Sequence, residues 1–155
     1  MDGIIAFTAQ WLLIVPALIV VATIVRRRQW MPDLIEAALS GALTILLVKL
    51  AGAAIHERRP FVAEGLRPLV MHAPDNAFPS DHLAACGLAV VYLAPRSKPL
   101  AVVVLCIAAL IAAARVAARL HWPVDVAGGF VLGALAAGIV LLGRHALGRS
   151  SQRSS

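Results

Sequence analysis

Long apolar runs, each closed by a cluster of charge, dominate this sequence and limit what it can fold into. Five stand out, at residues 4–25, 34–55, 80–94, 100–118 and 124–142. About twenty apolar residues in a helix cross roughly 30 Å of hydrocarbon. Helices and closed barrels alone satisfy their own backbone there, and runs of this length favour helices. The expected fold is therefore an all-α transmembrane bundle of five spans over residues 1–143, with a basic, serine-rich tail over 144–155 expected to be disordered. The chain is 61% hydrophobic and 14% charged, against about 25% charged for a soluble domain, so a water-soluble globule is excluded. A net charge of +6 raises the question of nucleic acid. The arginines sit at the ends of apolar runs, however, with no aromatic-interleaved basic stripe, and no nucleic-acid partner is expected. Cys86 and Cys106 lie inside apolar runs without ligand spacing and read as packing residues.

The first run lacks a basic segment ahead of it and is followed by Arg26, Arg27 and Arg28, the reverse of a secretory leader. It reads as a retained helix with its N-terminus outside, kinked at Pro16. The third run is short, covering roughly 22 Å at ~1.5 Å per residue, so one of its ends must lie below the membrane surface. If that end is Ser80, its polar cluster sits at the depth of a lipid phosphate. Pro123 suits the first turn of the last helix. Gly129, Gly133 and Gly138, with the alanine-rich stretch 108–118, favour close helix packing. Five spans place Arg26–Arg28, Arg96, Lys98, Arg144, Arg149 and Arg153 on one side. The excess of positive charge marks that side as cytoplasmic. The loop 56–79, between spans two and three, then faces the extracytoplasmic side, as do three polar clusters.

Those clusters are Arg58-Arg59-Pro60-Phe61, Phe78-Pro79-Ser80-Asp81-His82, and the run from Arg115 to His121 and Asp125. Guanidinium forks match phosphate oxygens bidentately, and a helix starting at Ser80 offers free backbone N–H groups to an anion. Arg59 and Arg115 gathered with Ser80 and His82 would make a phosphate site. A membrane-surface arginine is more often a snorkelling anchor, and Ser80 also reads as a plain N-cap. His121 and Asp125 are four apart, a spacing at which the carboxylate can accept the Nδ1–H and free Nε2 as a nucleophile. His82 can then serve as the acid for the departing oxygen. Either histidine alone would read as structural. Their placement beside arginines favours chemistry.

Together, RPF, FPSDH and the Arg-x5-His-x3-Asp pattern resemble the three signatures of the type 2 phosphatidic acid phosphatase superfamily, in the same order, across residues 49–125. The resemblance implies that His121 attacks phosphorus to give a phosphohistidine, Asp125 orients it and His82 protonates the leaving group. It also implies that Arg59, Ser80, Arg115 and the Asp81 backbone amide hold the phosphoryl oxygens, with no metal and no cofactor. FPSDH with RPF is similar to the bacterial undecaprenyl-diphosphatase branch. That branch implies a membrane-lipid substrate, a place in the bacterial inner membrane and a part in cell wall biogenesis. The chain departs from the family pattern at three places. Where many members carry lysine seven residues before the arginine of RP, this chain has Gly52, with Lys49 a helical turn deeper, as a phosphate ligand or a snorkelling residue. Asp81 replaces the usual glycine of the second signature, and Ala114 the usual serine before Arg115.

Undecaprenyl diphosphate is the expected substrate, cleaved to the monophosphate and inorganic phosphate. Phosphatidate or phosphatidylglycerophosphate is the alternative within the same chemistry. Two readings of another class compete. A metal-dependent hydrolase would use His82, His121, Asp81 and Asp125 as ligands, but it would set Arg59 and Arg115 against a cation. A lipid-binding or transport subunit would suit an intramembrane Lys49 but leave the histidine–aspartate pair without a task. Arg119 reads as a surface anchor or a second-phosphate contact. His56, Glu57, His72 and Asp75 read as loop residues, and 61–71 as an interfacial or packed segment.

Overall fold

Each apolar run forms a helix, and the breaks fall where the backbone loses a donor or meets a charge. The computed structural model describes residues 1–28 and 30–153, with side-chain surroundings to residue 146. Helices α1 (Asp2–Trp11) and α2 (Ile14–Arg26) make one rod with an interruption at Leu12 and Leu13. Pro16 has no N–H to give the Leu12 carbonyl, which accepts instead from Val15 at 3.1 Å, so the helical hydrogen-bond pattern breaks there. Next come α3 (Trp30–Ala54), the short α4 (Pro60–Ala63), α5 (Asp81–Leu93), α6 (Lys98–Ala117) and α7 (Pro123–Arg153). Among the described residues the chain is helical without named strands; a lone bridge pairs Arg58 with Asn76.

Four rods are long and apolar enough to cross a membrane: Asp2–Arg26, Trp30–Ala54, Lys98–Ala117 and Pro123–Ala146. α5, at 13 residues, covers only about 20 Å, as the brevity of its run implies. It is also the most enclosed helix, burying Leu83, Cys86, Tyr92 and Leu93. Its tightest neighbour is α7. A methyl group added at Gly129 or Gly133 would land on the carbonyl oxygen of Ser80 or Ala84, so these two glycines let the backbones touch. Gly138 has open space and takes no part in that approach, contrary to expectation. Cys86 is buried in this core, whereas Cys106 is exposed on α6.

The end of the bundle that holds the α5–α6 turn is tied by a buried acid pair missed in the sequence. Asp33 and Glu36 lie one turn apart on α3 and are 1% and 4% exposed. Asp33 receives Arg27 at 2.7 Å, Arg96 at 3.1 Å and Arg144 at 3.0 Å, and Glu36 also pairs with Arg96 and Arg144. Arg96 further stacks 3.7 Å over the Tyr92 ring. Arg144 thus belongs to the packed helix, which continues to Arg153 and corrects the expected start of the tail. Residues 154 and 155 lie outside the described residues.

Candidate active site

At the opposite end, the termini of α3, α5, α6 and α7 surround a cavity of about 540 Å³ lined by Lys49, Arg59, Asp81, His82, Arg115 and His121, among others. The loop after α3 is built first by Asn76. Its Nδ2 donates to the carbonyls of Gly52 and Ile55, both at 2.8 Å, satisfying groups a helix end leaves open. Its Oδ1 accepts from the amides of Glu57 and Phe78. One side chain therefore fixes the segment that carries Arg59 to the segment that leads into Ser80. A lone asparagine ahead of Phe78-Pro79 was the only trace of this in the sequence.

Helix α6 ends by a left-handed residue, Arg119, at φ 62°. The Arg119 amide donates to Val116 and the Leu120 amide to Arg115, a Schellman closure made without glycine. This turn folds Leu120 and His121 back beside Arg115. Arg119 itself points away: it is exposed and does not line the cavity, and its carbonyl accepts from Phe61. The segment 61–71 docks on the same turn, with Val70 packed against the cluster of Ala9, Ala114, Ala118 and Leu120. Glu57 and His56 are exposed loop residues outside the cavity lining.

His121 is the focus. Its Nδ1 lies 2.8 Å from the Ala77 carbonyl, so Nδ1 carries the proton and Nε2 holds the free lone pair. Both guanidinium groups face that lone pair, Arg115 Nη2 at 3.0 Å and Arg59 Nη1 at 3.4 Å. Burial, with the charges of Arg115 and Arg59, pushes the imidazole pKa down to about 3. The ring is therefore neutral at physiological pH, as a nucleophile must be. Asp125 differs from its expected place. Its Oδ2 accepts from the Trp122 amide at 2.7 Å and lies 3.6 Å from Nδ1, too far for a hydrogen bond. The tautomer is set by a backbone carbonyl, while the buried carboxylate holds the Trp122 amide beside the ring.

Both arginines are held rigidly. Arg59, 5% exposed, donates to Asp75 at 2.8 Å and to the carbonyls of Leu120 and Asn76. Asp75, read as a plain loop residue, is thus what aims Arg59. Although burial raises its pKa, the Arg59 hydrogen bond and charge hold the carboxyl below the usual range. His72 also lines the cavity, 3.8 Å from Asp75. Arg115, 4% exposed, donates to the Ala9 carbonyl of α1 and meets no carboxylate among the described residues.

The second cluster divides. His82 and Asp81 line the cavity at the start of α5. Ser80 is fully buried and outside the lining; it occupies the N-cap position, yet its hydroxyl makes no capping bond and has no partner among the described residues. Its amide donates to the Asp125 carbonyl, joining α5 to α7 beneath the site. Lys49 reaches the lining from α3, and Ala114 is buried behind Arg115. Among the described residues no three His, Cys, Asp or Glu side chains group as metal ligands. A cation at Nε2 would face two guanidinium groups. The arrangement favours an anion with several oxygens, bound where an uncharged imidazole can attack its centre.

Comparison with known proteins agrees. The sequence profile of the PAP2 superfamily matches residues 33–149. The chain is 27% identical over 133 residues to the undecaprenyl-diphosphatase BcrC of Bacillus subtilis, covering 85% of this chain and 69% of that protein. Its fold is similar to the crystal structure of Aquifex aeolicus LpxE, with a TM-score of 0.71 and 21% identity over 90% of this chain and 82% of the other. It is also similar to a PAP2-type phosphatidylglycerolphosphate phosphatase from Bacillus subtilis, with a TM-score of 0.67 and 22% identity over 93% and 76% of the two chains. With the profile spanning most of the chain and the arginine–histidine cavity where its motifs converge, this protein belongs to the PAP2 superfamily of membrane lipid phosphatases.

Proposed function

We propose that this chain hydrolyses a polyprenyl diphosphate, undecaprenyl diphosphate above all, to the monophosphate and inorganic phosphate. The observation that carries the chemistry is the His121 ring, with Nδ1 committed to the Ala77 carbonyl and Nε2 between two guanidinium forks. Nε2 attacks the terminal phosphorus, forming a P–N bond as the P–O bond to the lipid monophosphate breaks. In the complex, where the diphosphate's negative charge favours the protonated imidazole, His82 gives its proton to the departing oxygen, then takes one from the water that attacks phosphohistidine and releases inorganic phosphate. Arg59 and Arg115 bind the equatorial oxygens as charge builds there, and the amide of Asp81 adds a helix-end donor. Ser80 serves this site by joining α5 to α7 through its amide, and a contact of its hydroxyl with bound phosphate is part of this proposal.

The choice of a diphosphate rests on similarity to BcrC and on the FPSDH segment. For topology, we assign five spans with α5 as the short one. The Arg27, Arg96 and Arg144 end faces the cytoplasm by the positive-inside rule, and the cavity faces outward. The test is phosphate release by the purified protein from undecaprenyl diphosphate, phosphatidate and phosphatidylglycerophosphate, with chelator present and beside His121→Ala. Release from the diphosphate, unaffected by chelator and absent in the variant, is expected. Release from a glycerolipid alone would move the substrate. Loss of activity in chelator would overturn the metal-free mechanism.

A further inference from the structure

The cavity does not end at the histidines. Val48, Lys49 and Asp81 line it and also line a second, apolar groove of about 460 Å³ between α3 and α5, walled by Gly41, Thr44, Ile45, Ala85 and Leu88. Lys49 stands at the junction. It is three residues before Gly52 on α3, so it lies about 4.5 Å farther from the helix end that carries the site, on the same face. At Gly52 a side chain would be crowded by the loop that follows α3. A Cβ there would come 3.2 Å from the Phe78 carbonyl oxygen and 3.6 Å from the Asn76 amide nitrogen, both parts of the loop that fixes Arg59.

We infer that Lys49 binds the lipid-proximal phosphate of a diphosphate, and that the first stretch of its hydrocarbon chain lies in the α3–α5 groove. This rests on the diphosphate reading above. The terminal phosphoryl group is held against His121 by Arg59 and Arg115, and covalent order then sets the proximal phosphate next and the chain after it. Along the lining, the junction with Lys49 follows the histidine cavity, and the apolar groove follows the junction. Charge supports the assignment. Asp81 shares the junction, so without Lys49 a second phosphate would meet a carboxylate with no cation to offset it. A monophosphate lipid places no charge there, so Lys49 discriminates between the two substrate classes.

The test measures kcat/KM in detergent for undecaprenyl diphosphate and for phosphatidate, with wild type, Lys49→Gln and Lys49→Arg. Lys49→Gln should lower the diphosphate value about 10- to 100-fold, mainly through KM, as expected for a lost charge-assisted hydrogen bond, while phosphatidate falls far less. Lys49→Arg should restore most of the loss. For the groove, Ala85→Phe should lower the farnesyl over isopentenyl diphosphate ratio about tenfold, because the shorter chain ends at the groove mouth. Equal losses on both lipid classes in Lys49→Gln, or an unchanged chain-length ratio in Ala85→Phe, would overturn the assignment and leave the diphosphate reading standing. A wild type inactive on every diphosphate would overturn both.

Discussion

Arginines gather at both ends of this bundle, and the two gatherings do opposite work. At one end Arg27, Arg96 and Arg144 converge on Asp33 and Glu36, so each guanidinium meets carboxylate oxygen. At the other, Arg115 meets a backbone carbonyl and an imidazole, and Arg59 shares its donors among Asp75, two carbonyls and the same imidazole. In the first set three guanidinium groups share two carboxylates, an ion-pair cluster that ties α3, the α5–α6 turn and α7 together. The second leaves positive charge facing a cavity, with rigid donors aimed at one nitrogen. Arginine content alone distinguishes nothing; what each fork finds opposite it decides between a clamp and an anion site.

Substitutions can break this contrast. The largest effect is expected at the histidine: His121→Ala should lower phosphate release by at least about a thousandfold, with Arg115→Ala losing about a hundredfold or more, both with thermal unfolding in detergent close to wild type. Equal destabilisation of Arg115→Ala and Arg96→Ala would erase the distinction between the two ends. Arg96→Ala, in contrast, should cost about 3 kcal/mol of stability by stripping a partner from two buried carboxylates. Turnover per folded molecule, read at low temperature, should hold.

Acid supplies a third probe. The folded pKa of His121 is about 3, below its ordinary value near 6.5. A protonated ring is therefore disfavoured in the fold. The stability it contributes is full above about pH 6.5 and is lost progressively as pH falls toward 3. Unfolding temperature should decline with acid over that window in wild type and decline less in His121→Gln. The pH profile of kcat/KM near neutrality should show no limb from His121. A smaller effect is expected for Asp75→Asn. With Asp75 61% exposed, stability should change by less than about 1 kcal/mol, but kcat/KM should fall about tenfold as Arg59 loses its aim. Smallest of all, Arg119→Gly should stabilise by about 0.5–1 kcal/mol, relieving the left-handed backbone at a position that lines no cavity. Activity should be unchanged, and a large loss would bring Arg119 into the site.

How far the sequence reached depends on the range of the forces involved. Apolar run length is local, so all the membrane-length helices, the brevity of α5 and the Pro16 break were legible residue by residue. The signature clusters were legible too, because the residue types that bind and attack phosphate are few. Partners drawn from distant segments were not. Asn76 and Asp75 looked like ordinary loop polars because their role depends on Gly52, Ile55 and Arg59 folding toward them. The four-residue spacing of His121 and Asp125 suggested a direct hydrogen bond, but the chain enters α7 only at Pro123, and the ring turns to Ala77 instead. The apparent tail likewise hid Arg144, whose carboxylate partners sit more than a hundred residues earlier.

By itself, then, the sequence determined that the chain must bury helices in a membrane and that phosphate chemistry would gather where they end, because hydropathy and side-chain type need no partner to be read. Which carbonyl holds the imidazole, which arginines are neutralised and which face the cavity, and how Lys49 comes to join that cavity to an apolar groove were settled only by tertiary structure. Hydrogen bonds and ion pairs act within a few ångströms, and only the folded chain brings residues so far apart in sequence to that distance.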